Sequence, residues 1–439
     1  MVTKIDLIDR IQNKTAKVTI MGLGYVGLPL YRLCTNRGFD TWGVDSDSQK
    51  IQILNDNKSY IKHIDPESLN YTKDKCVHIE DHRFTESISD IFIICVPTPL
   101  KNGTDPDLSY VDNCIANLIS PIYEKLDNGD SVLIILESTT YPGCTKYLYD
   151  YIKHELEENY LVSTDKLYMA FSPEREDPGN DKYGVFNIPK IVGGVNEEST
   201  NIAKLFYESI CETVVPVSTS DTAEMTKLLE NIYRCVNIAL VNELKQLCGR
   251  MGIDIYEVIN AASTKPFGYH PFYPGPGLGG HCIPIDPLYL SWKAKQFDFH
   301  TRFIELATQI NTLMPYRVID KIKWEMDKRG LVIKNSNIRL LGLAYKANVD
   351  DDRESPSYKI WEILQEHGAN IFYYDPFIDH IHNDKLIGTR SEKIDDANYD
   401  VEIILSGHDL DYSHPLNTAT LVVDTRNVIK TKHENLIKA

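Results

Sequence analysis

Short apolar runs alternate with amphipathic stretches through the N-terminal part of the chain. The runs IFIICVP (91–97) and SVLIIL (131–136) have the length and apolar content of strands that are covered on both faces. KVTIMGLGYVG (17–27) predicts a strand leading into a glycine-rich turn, and FDTWGVD (39–45) predicts the next strand. The segment between them has a helical pattern. This alternation predicts a doubly wound α/β domain with a parallel sheet.

From Asp221 the spacing of apolar residues changes to three and four, which is typical of helices. The stretch 221–252 keeps this spacing, so it predicts one long helix with an apolar face and a charged face. Helices of this kind commonly connect two domains and bury an apolar stripe against a second copy. We therefore expect a central helical domain and a homodimer formed through its long helix.

A third segment begins near Asn335 and repeats the N-terminal pattern. NIRLLGLAYK predicts a strand leading into a turn, and IFYYDP predicts a second strand that ends at an acid, Asp375. Only Gly342 remains where a G-x-G-x-x-G turn would stand, so this lobe has no dinucleotide fingerprint. The predicted fold class is α/β, with two Rossmann-like doubly wound parallel-sheet domains joined by a central helical domain. The predicted domains are residues 1–215, 216–325 and 326–439.

Composition and charge narrow the range of functions. The chain has 439 residues and a formal net charge of −17, which argues against nucleic acid and anionic membrane as partners of its general surface. Its apolar runs are too short to cross a bilayer, and its N-terminus lacks the apolar stretch of a secretory signal. Nine cysteines without a C-x-x-C pair argue against a disulfide scaffold and against structural zinc. We expect a cytoplasmic protein that binds no metal.

The turn GLGYVG carries the first candidate site. Its glycines match G-x-G-x-x-G between a predicted strand and a predicted helix, and Asp45 ends the next strand. Such glycines let a pyrophosphate approach the helix N-terminus, while the acid accepts hydrogen bonds from the adenosine ribose. Because the acid would repel a 2′-phosphate, we predict NAD rather than NADP. The predicted cofactor residues of this region are Gly22, Gly24, Tyr25, Val26, Gly27 and Asp45.

Further candidates follow three other predicted strands, where ligands lie in open α/β sheets. Pro97 and Thr98 in VPTP are predicted to form part of the cofactor rim. Thr139 in ESTTYPG is predicted to contact the cofactor and to hold a water, and Glu174 in SPERE is a candidate base. The alternatives are a proline-rich exit turn, a turn threonine and a salt-bridged loop acid, respectively.

Two polar side chains lie four residues apart on the predicted long helix. Lys227 and Asn231 in EMTKLLEN therefore project from one face, where they offer two donors to an oxygen that gains negative charge. The alternative is a solvated pair on a surface helix. The apolar residues around them make full exposure less favourable.

A thiol stands in the glycine- and proline-rich segment PGPGLGGHCIPIDP (274–287). Cys282 precedes a predicted helix, DPLYLSWKAK, and a cysteine near a helix N-terminus is deprotonated more readily than a free one. A thiolate attacks carbonyl carbon, and Asp286 is close enough in sequence to move a proton or position a water. The alternative is a buried structural cysteine, the commonest state of a free thiol.

Together these motifs resemble the UDP-glucose/GDP-mannose dehydrogenase family, whose order they follow over nearly the whole chain. SPEREDPGN and KPFGYHPFYPGPGLGGHCIPIDP are most similar to the UDP-N-acetylglucosamine 6-dehydrogenase branch. The motifs that carry the resemblance are GLGYVGLP, VPTP, ESTTYPG, SPEREDPGN, EMTKLLEN, PGPGLGGHCxPxDP and LGLAYKxNVDDxRESPS.

The resemblance implies an NAD-dependent four-electron oxidation of the C6 alcohol of a UDP-sugar to a carboxylate, for polysaccharide precursor synthesis. It implies that Cys282 traps an intermediate aldehyde as a thiohemiacetal, and that a second oxidation leaves a thioester that water hydrolyses. Two NAD would be consumed per sugar. The implied roles are oxyanion stabilisation by Lys227 and Asn231, and management of protons and water by Glu174, Thr139 and Asp286.

The same resemblance implies that the C-terminal lobe binds the uridine diphosphate. Lys346 matches a substrate position and Arg353 a cofactor position, and Arg426 in VVDTRN is a further candidate for substrate binding. The backbone at Gly277 and Gly279 is expected to wrap the sugar. The side chains of Glu174, Lys227 and Asn231 are expected to contact the substrate as well.

One departure from the UDP-glucose branch concerns the sugar. Tyr273 stands where that branch has a lysine, which favours an N-acetylated sugar, and Arg234 lies on a helical face similar to that of Lys227. The predicted substrate is UDP-N-acetylglucosamine. The alternatives are UDP-glucose, UDP-N-acetylmannosamine or UDP-N-acetylgalactosamine as substrate, a β-hydroxyacid dehydrogenase, and a non-catalytic nucleotide-sugar sensor.

Overall fold

The computed structural model describes residues 6–61, 64, 69, 74–81, 83–84, 89–175, 182–280, 283–381, 383 and 385–439. The chain divides into two compact units. The first comprises Met1–Glu230 with Trp292–Asp298, and the second comprises Asn231–Ser291 with Phe299–Ala439. None of the helices in the described ranges carries an apolar stretch long enough to cross a membrane.

The first unit contains an eight-stranded sheet in which the predicted doubly wound arrangement is confirmed. The spatial order is β10-β9-β8-β7-β4-β1-β2-β3, and a small antiparallel hairpin, β5–β6, lies apart from it. These strands are β1 (Lys17–Met21), β2 (Asp40–Asp45), β3 (Cys76–His78), β4 (Ile91–Ile94), β5 (Leu100–Lys101), β6 (Asp105–Pro106), β7 (Val132–Leu136), β8 (Leu167–Phe171), β9 (Lys190–Gly194) and β10 (Val214–Pro216).

The direction of β9 differs from the prediction of an all-parallel sheet. β9 pairs with β8 in antiparallel register, Ala170 opposite Gly194, while the other neighbouring pairs of this sheet are parallel. A parallel connection needs a crossover, usually a helix. The described residues between these two strands, 172–175 and 182–189, contain no helix. The chain therefore re-enters the sheet from the end at which β8 leaves it.

Helices cover both faces of this sheet, and each face has its own hydrophobic core. The strand β7, VLIIL, is buried along its whole length, as expected for a strand covered on both faces. Among its described residues, the α-helices of the first unit are α1 (Leu7–Gln12), α2 (Gly27–Asn36), α3 (Ser48–Asn55), α4 (Ser109–Asp127), α5 (Cys144–His154) and α6 (Glu197–Glu208), and a π-helical turn, Glu155–Asn159, follows α5.

The predicted long helix is α7 (Ser220–Met251), whose ends lie within one residue of the predicted range. Its first part, to Glu230, belongs to the first unit, and the rest belongs to the second. The other helices are α8 (Ile255–Ala262), α9 (Asp286–Lys295), α10 (Arg302–Lys328), α11 (Pro356–Glu366) and α12 (Ser413–Thr418).

The second unit contains a six-stranded sheet with the order β13-β12-β11-β14-β15-β16, and all its pairs are parallel. This is the second Rossmann-like lobe that the sequence predicts. The strands are β11 (Asn337–Leu341), β12 (Asn370–Tyr374), β13 (Thr389–Arg390), β14 (Val401–Ile404), β15 (Leu421–Asp424) and β16 (Leu436–Lys438).

The first strand of each sheet ends in the same kind of turn. In the first unit Gly22 has a φ of 91°, a left-handed value that favours glycine, and its N–H donates to Val44 O at 2.7 Å. Leu23 N–H donates to Asp45 Oδ2 at 2.8 Å. The acid at the end of β2 therefore holds the turn after β1.

The second unit repeats this arrangement with different residues. Gly342 has a φ of 90°, and its N–H donates to Tyr374 O at 2.9 Å. Leu343 N–H donates to Asp375 Oδ2 at 2.6 Å. The buried acid thus serves the backbone of a lobe that carries no G-x-G-x-x-G motif.

Glu224 fastens α7 to the start of α5 within the first unit. Its carboxylate, which is fully buried, accepts hydrogen bonds from Gly143 N at 2.7 Å, Thr145 N at 2.8 Å and Thr145 Oγ1 at 2.6 Å. The cap residue of α5 is Gly143, which has no side chain, so Glu224 supplies the missing acceptor. Burial raises the pKa of Glu224 to about 7, against the effect of these three hydrogen bonds.

We expect Glu224→Gln to change how stability depends on pH. The pKa of Glu224 rises from 4.5 to about 7 on folding, so the folded chain binds a proton at the Glu224 carboxyl more tightly than the unfolded chain does. Between these two values stability falls as pH rises, by up to about 3 kcal/mol for such a shift. The melting temperature of the wild type relative to Glu224→Gln should therefore decrease from about pH 5 to about pH 7.5.

Thermal melts at a series of pH values measure this difference. Asn196→Ala is the matched control, because Asn196 caps α6 in the same unit through Ser199 N without a titrating group. Its melting temperature should keep a constant offset from that of the wild type. Parallel profiles for Glu224→Gln and the wild type would show that Glu224 does not titrate in this range.

Candidate active site

The glycines of the turn after β1 differ in how much space surrounds them. A Cβ on Gly27 would lie 1.8 Å from Gly22 O, so α2 starts too close to the turn for any larger residue. A Cβ on Gly24 would meet no atom within 4 Å, so open space adjoins this backbone. The cap residue of α2, Val26, makes no side-chain cap hydrogen bond. The turn therefore presents backbone and a helix N-terminus to a ligand.

These features fit a dinucleotide. The N–H groups and partial positive charge of the first turn of α2 suit a pyrophosphate, and the open side of Gly24 leaves room for one. Tyr25 and Val26, which follow Gly24, are half-buried. Asp45 Oδ1 accepts from Asp47 N at 2.9 Å, and Lys50 Nζ lies 3.7 Å from Oδ2. The acid that we predict to bind ribose thus also organises the local backbone.

The candidate residues of the first unit meet at one edge of the sheet. Strands β8, β7, β4 and β1 are neighbours, and their carboxyl ends lead to Glu174, Thr139, Thr98 and Gly22, respectively. Ligands in open α/β sheets lie at this edge. The structure therefore brings together side chains that the sequence separates by up to about 150 positions.

Two of these loops are joined directly. Ser138 Oγ donates to Val96 O at 2.7 Å, which ties the loop after β7 to the loop after β4. Thr98 is buried, Pro97 is exposed, and Thr139 is half-buried. This contact gives the predicted cofactor rim a fixed shape.

Lys227 is buried rather than solvated, with 4% of its surface exposed. Its Nζ donates to the backbone oxygen of Glu174 and lies 3.5 Å from Glu174 Oε2. The neighbouring Arg175 pairs with Glu230 on the same helix, with Nε at 3.2 Å from Oε2. The segment after β8 is therefore held against the first part of α7.

Asn231 is the corresponding polar group of the second unit, and it is also buried. Its Nδ2 donates to Asp286 Oδ2, and its Oδ1 accepts from Arg234. Asp286 is buried and begins α9. Because both of its neighbours fix the amide, Asn231 keeps one orientation. This arrangement excludes the alternative of a solvated pair at positions 227 and 231.

The glycine-rich segment packs against the C-terminal lobe within the second unit. A Cβ on Gly275 would lie 2.5 Å from a guanidinium nitrogen of Arg426, so this loop and the predicted substrate arginine are in contact. A Cβ on Gly277 would lie 2.9 Å from Pro356, and one on Gly279 would lie 2.6 Å from Tyr345. Gly277 and Gly279 lack room for a side chain, because the atoms beside them belong to a proline ring and to the first carbon of a tyrosine side chain. At Gly275 the neighbouring atom is the end of a flexible side chain, which can move aside.

Tyr273, which directly precedes this segment, is half-exposed. Its hydroxyl donates to Asn260 Oδ1 at 3.0 Å, and its ring lies parallel to that of Tyr256, with the ring centroids 6.5 Å apart. A phenol ring held in this way contributes an apolar face and a hydrogen-bonding hydroxyl where a lysine would contribute charge.

The loop after β11 carries the other two predicted cations. Lys346 is half-buried, and Arg353 forms an ion pair with Asp351 through Nε at 2.9 Å. The backbone oxygen of Arg353 accepts from Gly280 N at 2.9 Å. The glycine-rich segment is thus bonded to this loop directly before His281.

The predicted nucleophile, Cys282, lies outside the described residues, so its role stays a prediction. Its described neighbours in sequence are Gly280 and Ile283. Several other thiols are unsuited to nucleophilic chemistry. Burial raises the pKa of Cys76, Cys114 and Cys144 to about 12, so they remain protonated at neutral pH.

A buried ion pair that was not predicted from the sequence lies at the edge of the first sheet. Lys190 Nζ lies 2.8 Å from Glu137 Oε2, and Tyr207 OH donates to the other oxygen of this carboxylate. Glu137 stands two residues before Thr139, within the quoted ESTTYPG motif, which was the available signal. Both groups line a small pocket together with Val26 and Glu174. Glu224, three residues before Lys227 in EMTK, was overlooked as well.

Three models of the UDP-glucose/GDP-mannose dehydrogenase family match successive parts of the chain. The NAD binding domain matches residues 16–211, the central domain matches 221–313, and the UDP binding domain matches 339–431. Together they cover most of the 439 residues.

Whole proteins with this organisation are similar to the chain. A UDP-N-acetyl-D-mannosamine dehydrogenase of Methanococcus maripaludis is 33% identical over 94% of this chain and 93% of its own length. An NDP-N-acetyl-D-galactosaminuronic acid dehydrogenase of Ralstonia nicotianae is 31% identical over 82% of this chain and 83% of its own length. The solved structure of a UDP-D-ManNAc dehydrogenase from Pyrococcus horikoshii superposes with a TM-score of 0.82 at 30% identity, covering 96% of this chain and 98% of that one. The chain therefore belongs to the UDP-glucose/GDP-mannose dehydrogenase family and is an NAD-dependent nucleotide-sugar dehydrogenase.

Proposed function

We propose that the protein oxidises the C6 alcohol of a UDP-N-acetylhexosamine to the uronate in two steps that share one active site. When bound, NAD supplies a hydride acceptor at C6 for each oxidation. The observation that carries the proposal is the burial of Lys227 and Asn231, one turn apart on α7, each beside a carboxylate that the sequence predicts to be catalytic. Cytoplasmic location and a place in polysaccharide precursor synthesis remain predictions from the sequence.

Lys227 and Asn231 are proposed to donate hydrogen bonds to the C6 oxygen. An ammonium and an amide that are already oriented stabilise the alkoxide, the thiohemiacetal oxyanion and the tetrahedral intermediate without reorganising. Asp286 and Arg234 support this role, because they hold the Asn231 amide in place. Glu174 supports it in the same way, through its contacts with Lys227.

Cys282 is proposed to hold the sugar between the two oxidations. Its sulfur adds to the aldehyde carbon and forms a thiohemiacetal, and loss of a second hydride and a proton from this adduct leaves a thioester. Water then attacks the thioester carbon, which releases the carboxylate and regenerates the thiol. Thr139 is proposed to position this water, and Glu174 and Asp286 to exchange protons with it.

The second unit is proposed to bind the UDP part. Arg426 supports this proposal because its guanidinium borders the glycine-rich segment at Gly275, and Lys346 supplies a second cation for the diphosphate. Tyr273 favours a sugar with an apolar substituent such as an N-acetyl group. Similarity to a UDP-N-acetyl-D-mannosamine dehydrogenase favours the manno epimer over the gluco epimer that the sequence motifs favour.

We expect the purified protein to form two NADH for each uronate from one UDP-N-acetylhexosamine. The assay compares UDP-N-acetylmannosamine, UDP-N-acetylglucosamine, UDP-N-acetylgalactosamine and UDP-glucose, with NADH followed by absorbance and uronate by mass spectrometry. A hydrophobic pocket discriminates by about 10–200-fold for each small substituent, so kcat/KM should separate an N-acetylated sugar from UDP-glucose by at least about tenfold. One NADH per product would instead indicate a single oxidation, as in a β-hydroxyacid dehydrogenase. No NADH with any sugar would indicate a sensor.

Cys282→Ser provides the matched variant for the covalent step. Because a serine hydroxyl is a far weaker nucleophile than a thiolate, this variant should bind NAD and the UDP-sugar but form no uronate. Uronate formation at the wild-type rate would remove Cys282 from the mechanism. NAD affinity measured by fluorescence is the control for folding.

Asp45→Asn is expected to weaken the preference for NAD over NADP. Loss of a charged acceptor for the ribose hydroxyls costs about 1.5–3 kcal/mol, which corresponds to about a 10–100-fold rise in KM for NAD. The loss of negative charge also removes repulsion of a 2′-phosphate. The ratio of kcat/KM for the two cofactors measures both effects.

Asp375→Asn is the matched control for this experiment, because Asp375 holds the equivalent turn of the lobe without a dinucleotide motif. Its cofactor ratio should equal that of the wild type, whatever its stability. If Asp45→Asn leaves the ratio unchanged as well, Asp45 serves the backbone alone.

We also propose a homodimer formed through α7. In the second unit its exposed face carries Leu240, Leu244, Leu247 and Met251, at a spacing that places them in one stripe, and their exposed fractions range from 37% to 62%. A continuous apolar stripe of this kind is typical of a protein–protein interface.

Leu247→Lys is expected to shift the protein from twice the chain mass of 50.1 kDa to a single chain mass in light scattering after size exclusion. A charge in an apolar interface has no partner, so association loses free energy. Val332→Lys, which replaces another exposed apolar residue outside this stripe, is the control and should stay dimeric. A monomeric wild type, or a dimeric Leu247→Lys, would contradict the proposed interface.

A further inference from the structure

A buried polar cluster of the second unit lies beneath the loop after β11. Asp375 is fully buried, and its Oδ2 accepts from His408 Nε2 at 3.1 Å in addition to the turn amides. Burial opposes ionisation of this carboxyl, but the hydrogen bonds that it accepts from His408 and from backbone amides outweigh it, so the pKa of Asp375 lies below its usual value. The acid is therefore ionised and holds one side of the imidazole.

The other side of the imidazole holds the loop. Asn348 N–H donates to His408 Nδ1 at 2.9 Å. A backbone amide can only donate, so Nδ1 is the acceptor, and the ring carries its proton on Nε2, where it donates to Asp375. His408 is buried, with 3% of its surface exposed. Its two ring nitrogens join Asp375, which follows β12, to Asn348 in the loop after β11.

Asn348 is held at further points. Its Nδ2 donates to Asp409 Oδ2 at 2.7 Å, and Asp409 N donates back to its Oδ1 at 3.0 Å. Its φ is 60°, a left-handed value that asparagine tolerates better than most residues. The His408–Asp409 dipeptide thus grips both the backbone and the side chain of one loop residue.

The same loop supports the glycine-rich segment. Gly280 N donates to Arg353 O at 2.9 Å, and a Cβ on Gly280 would lie 3.0 Å from the ring of Tyr345. Tyr345 N in turn donates to Asp351 O at 3.1 Å, so the two ends of the loop are joined. Gly280 stands two positions before Cys282 in the sequence.

We infer that His408 is a positioning residue, which holds the loop of residues 345–354 so that this loop sets the backbone of Gly279–Gly280 directly before the nucleophile. The contacts of His408 within the second unit are those with Asp375, Asn348, Phe377 and Tyr412. The inference rests on the proposed function, because it gives Cys282 the role of trapping the aldehyde.

The chemical consequence concerns the aldehyde. The first oxidation needs only the C6 alcohol, its proton acceptor and the hydride acceptor, whereas the second needs a carbon–sulfur bond. If the backbone before Cys282 is displaced, the first oxidation is unaffected, but addition of the sulfur to the aldehyde is slower. The aldehyde then leaves the enzyme after only one NADH has formed. Misplacement by about 1 Å costs about 100-fold in such a step.

The test uses His408→Gln and His408→Asn in the full-length protein. The amide of Asn can take the place of Nδ1 and that of Gln the place of Nε2, so each variant keeps only one of the two hydrogen bonds that the imidazole makes, to Asn348 or to Asp375. Hydrogen exchange, measured without substrate, should become about tenfold faster at Gly280 and Asn348, as expected when a buried hydrogen bond is lost. With substrate, aldehyde should appear by mass spectrometry, and NADH per uronate should exceed two.

Tyr399→Phe is the matched control, because it removes a buried hydrogen bond to Ser391 in the same lobe without touching the loop. It should leave exchange at Gly280 and the NADH ratio as in the wild type. Unchanged exchange in both His408 variants would overturn the inference, as would two NADH per uronate at the wild-type kcat. Failure of the wild type to form uronate would overturn the proposed function alone, and the exchange result would then decide whether His408 positions the segment.

Discussion

Each Rossmann-like lobe depends on one buried carboxylate that accepts hydrogen bonds from the turn after its first strand. Asp45 and Asp375 fill this position in the two sheets, and each accepts a hydrogen bond from the backbone N–H of the residue after the turn glycine. A hydrogen bond to a charged acceptor stabilises a fold by about 1.5–3 kcal/mol. In the first lobe the organised turn leads to the N-terminus of α2. In the second lobe the corresponding acid, Asp375, is hydrogen-bonded to His408. The same turn geometry therefore suits a cofactor in one sheet and supports a loop in the other.

Much of the architecture follows from the sequence pattern. Short continuous apolar runs distinguish the strands from the helices, whose apolar residues recur at spacings of three and four. The long helix agrees with its predicted range to within one residue. The reversed direction of β9 had no local signal, because a short apolar strand reads the same in either orientation. Lys190 and Glu137 lie 53 residues apart, so their pairing depends on sheet order, which composition does not encode. His408 stands in no motif that the sequence analysis used, and its importance becomes visible only through its two neighbours in space.

The candidate site shows how a helix can satisfy two demands at once. Lys227 and Asn231 must be desolvated if they are to stabilise developing charge, yet a buried cation or a buried amide without partners is costly. Glu174 meets this demand for the lysine, and Asp286 meets it for the asparagine. Glu224, one turn earlier on the same helix, fastens α7 to α5 within the first unit. It therefore helps to fix the position of Lys227 in that unit. Catalytic candidates and structural acids therefore alternate along one short stretch of helix.

The antiparallel course of β9 determines which end of that strand reaches the ligand edge. In a uniformly parallel sheet only the last residues of strands arrive there, and the first residue, Lys190, would emerge at the opposite rim. Because β9 is reversed, the ammonium of Lys190, at its first residue, lies beside the carboxylate of Glu137, which follows β7. Without Lys190 the buried Glu137 would keep the hydrogen bond from Tyr207 but lose its counter-charge, and a buried carboxyl in that state tends to take up a proton. The direction of one strand thus places a paired cation and anion, Lys190 and Glu137, in the wall of the pocket next to Val26.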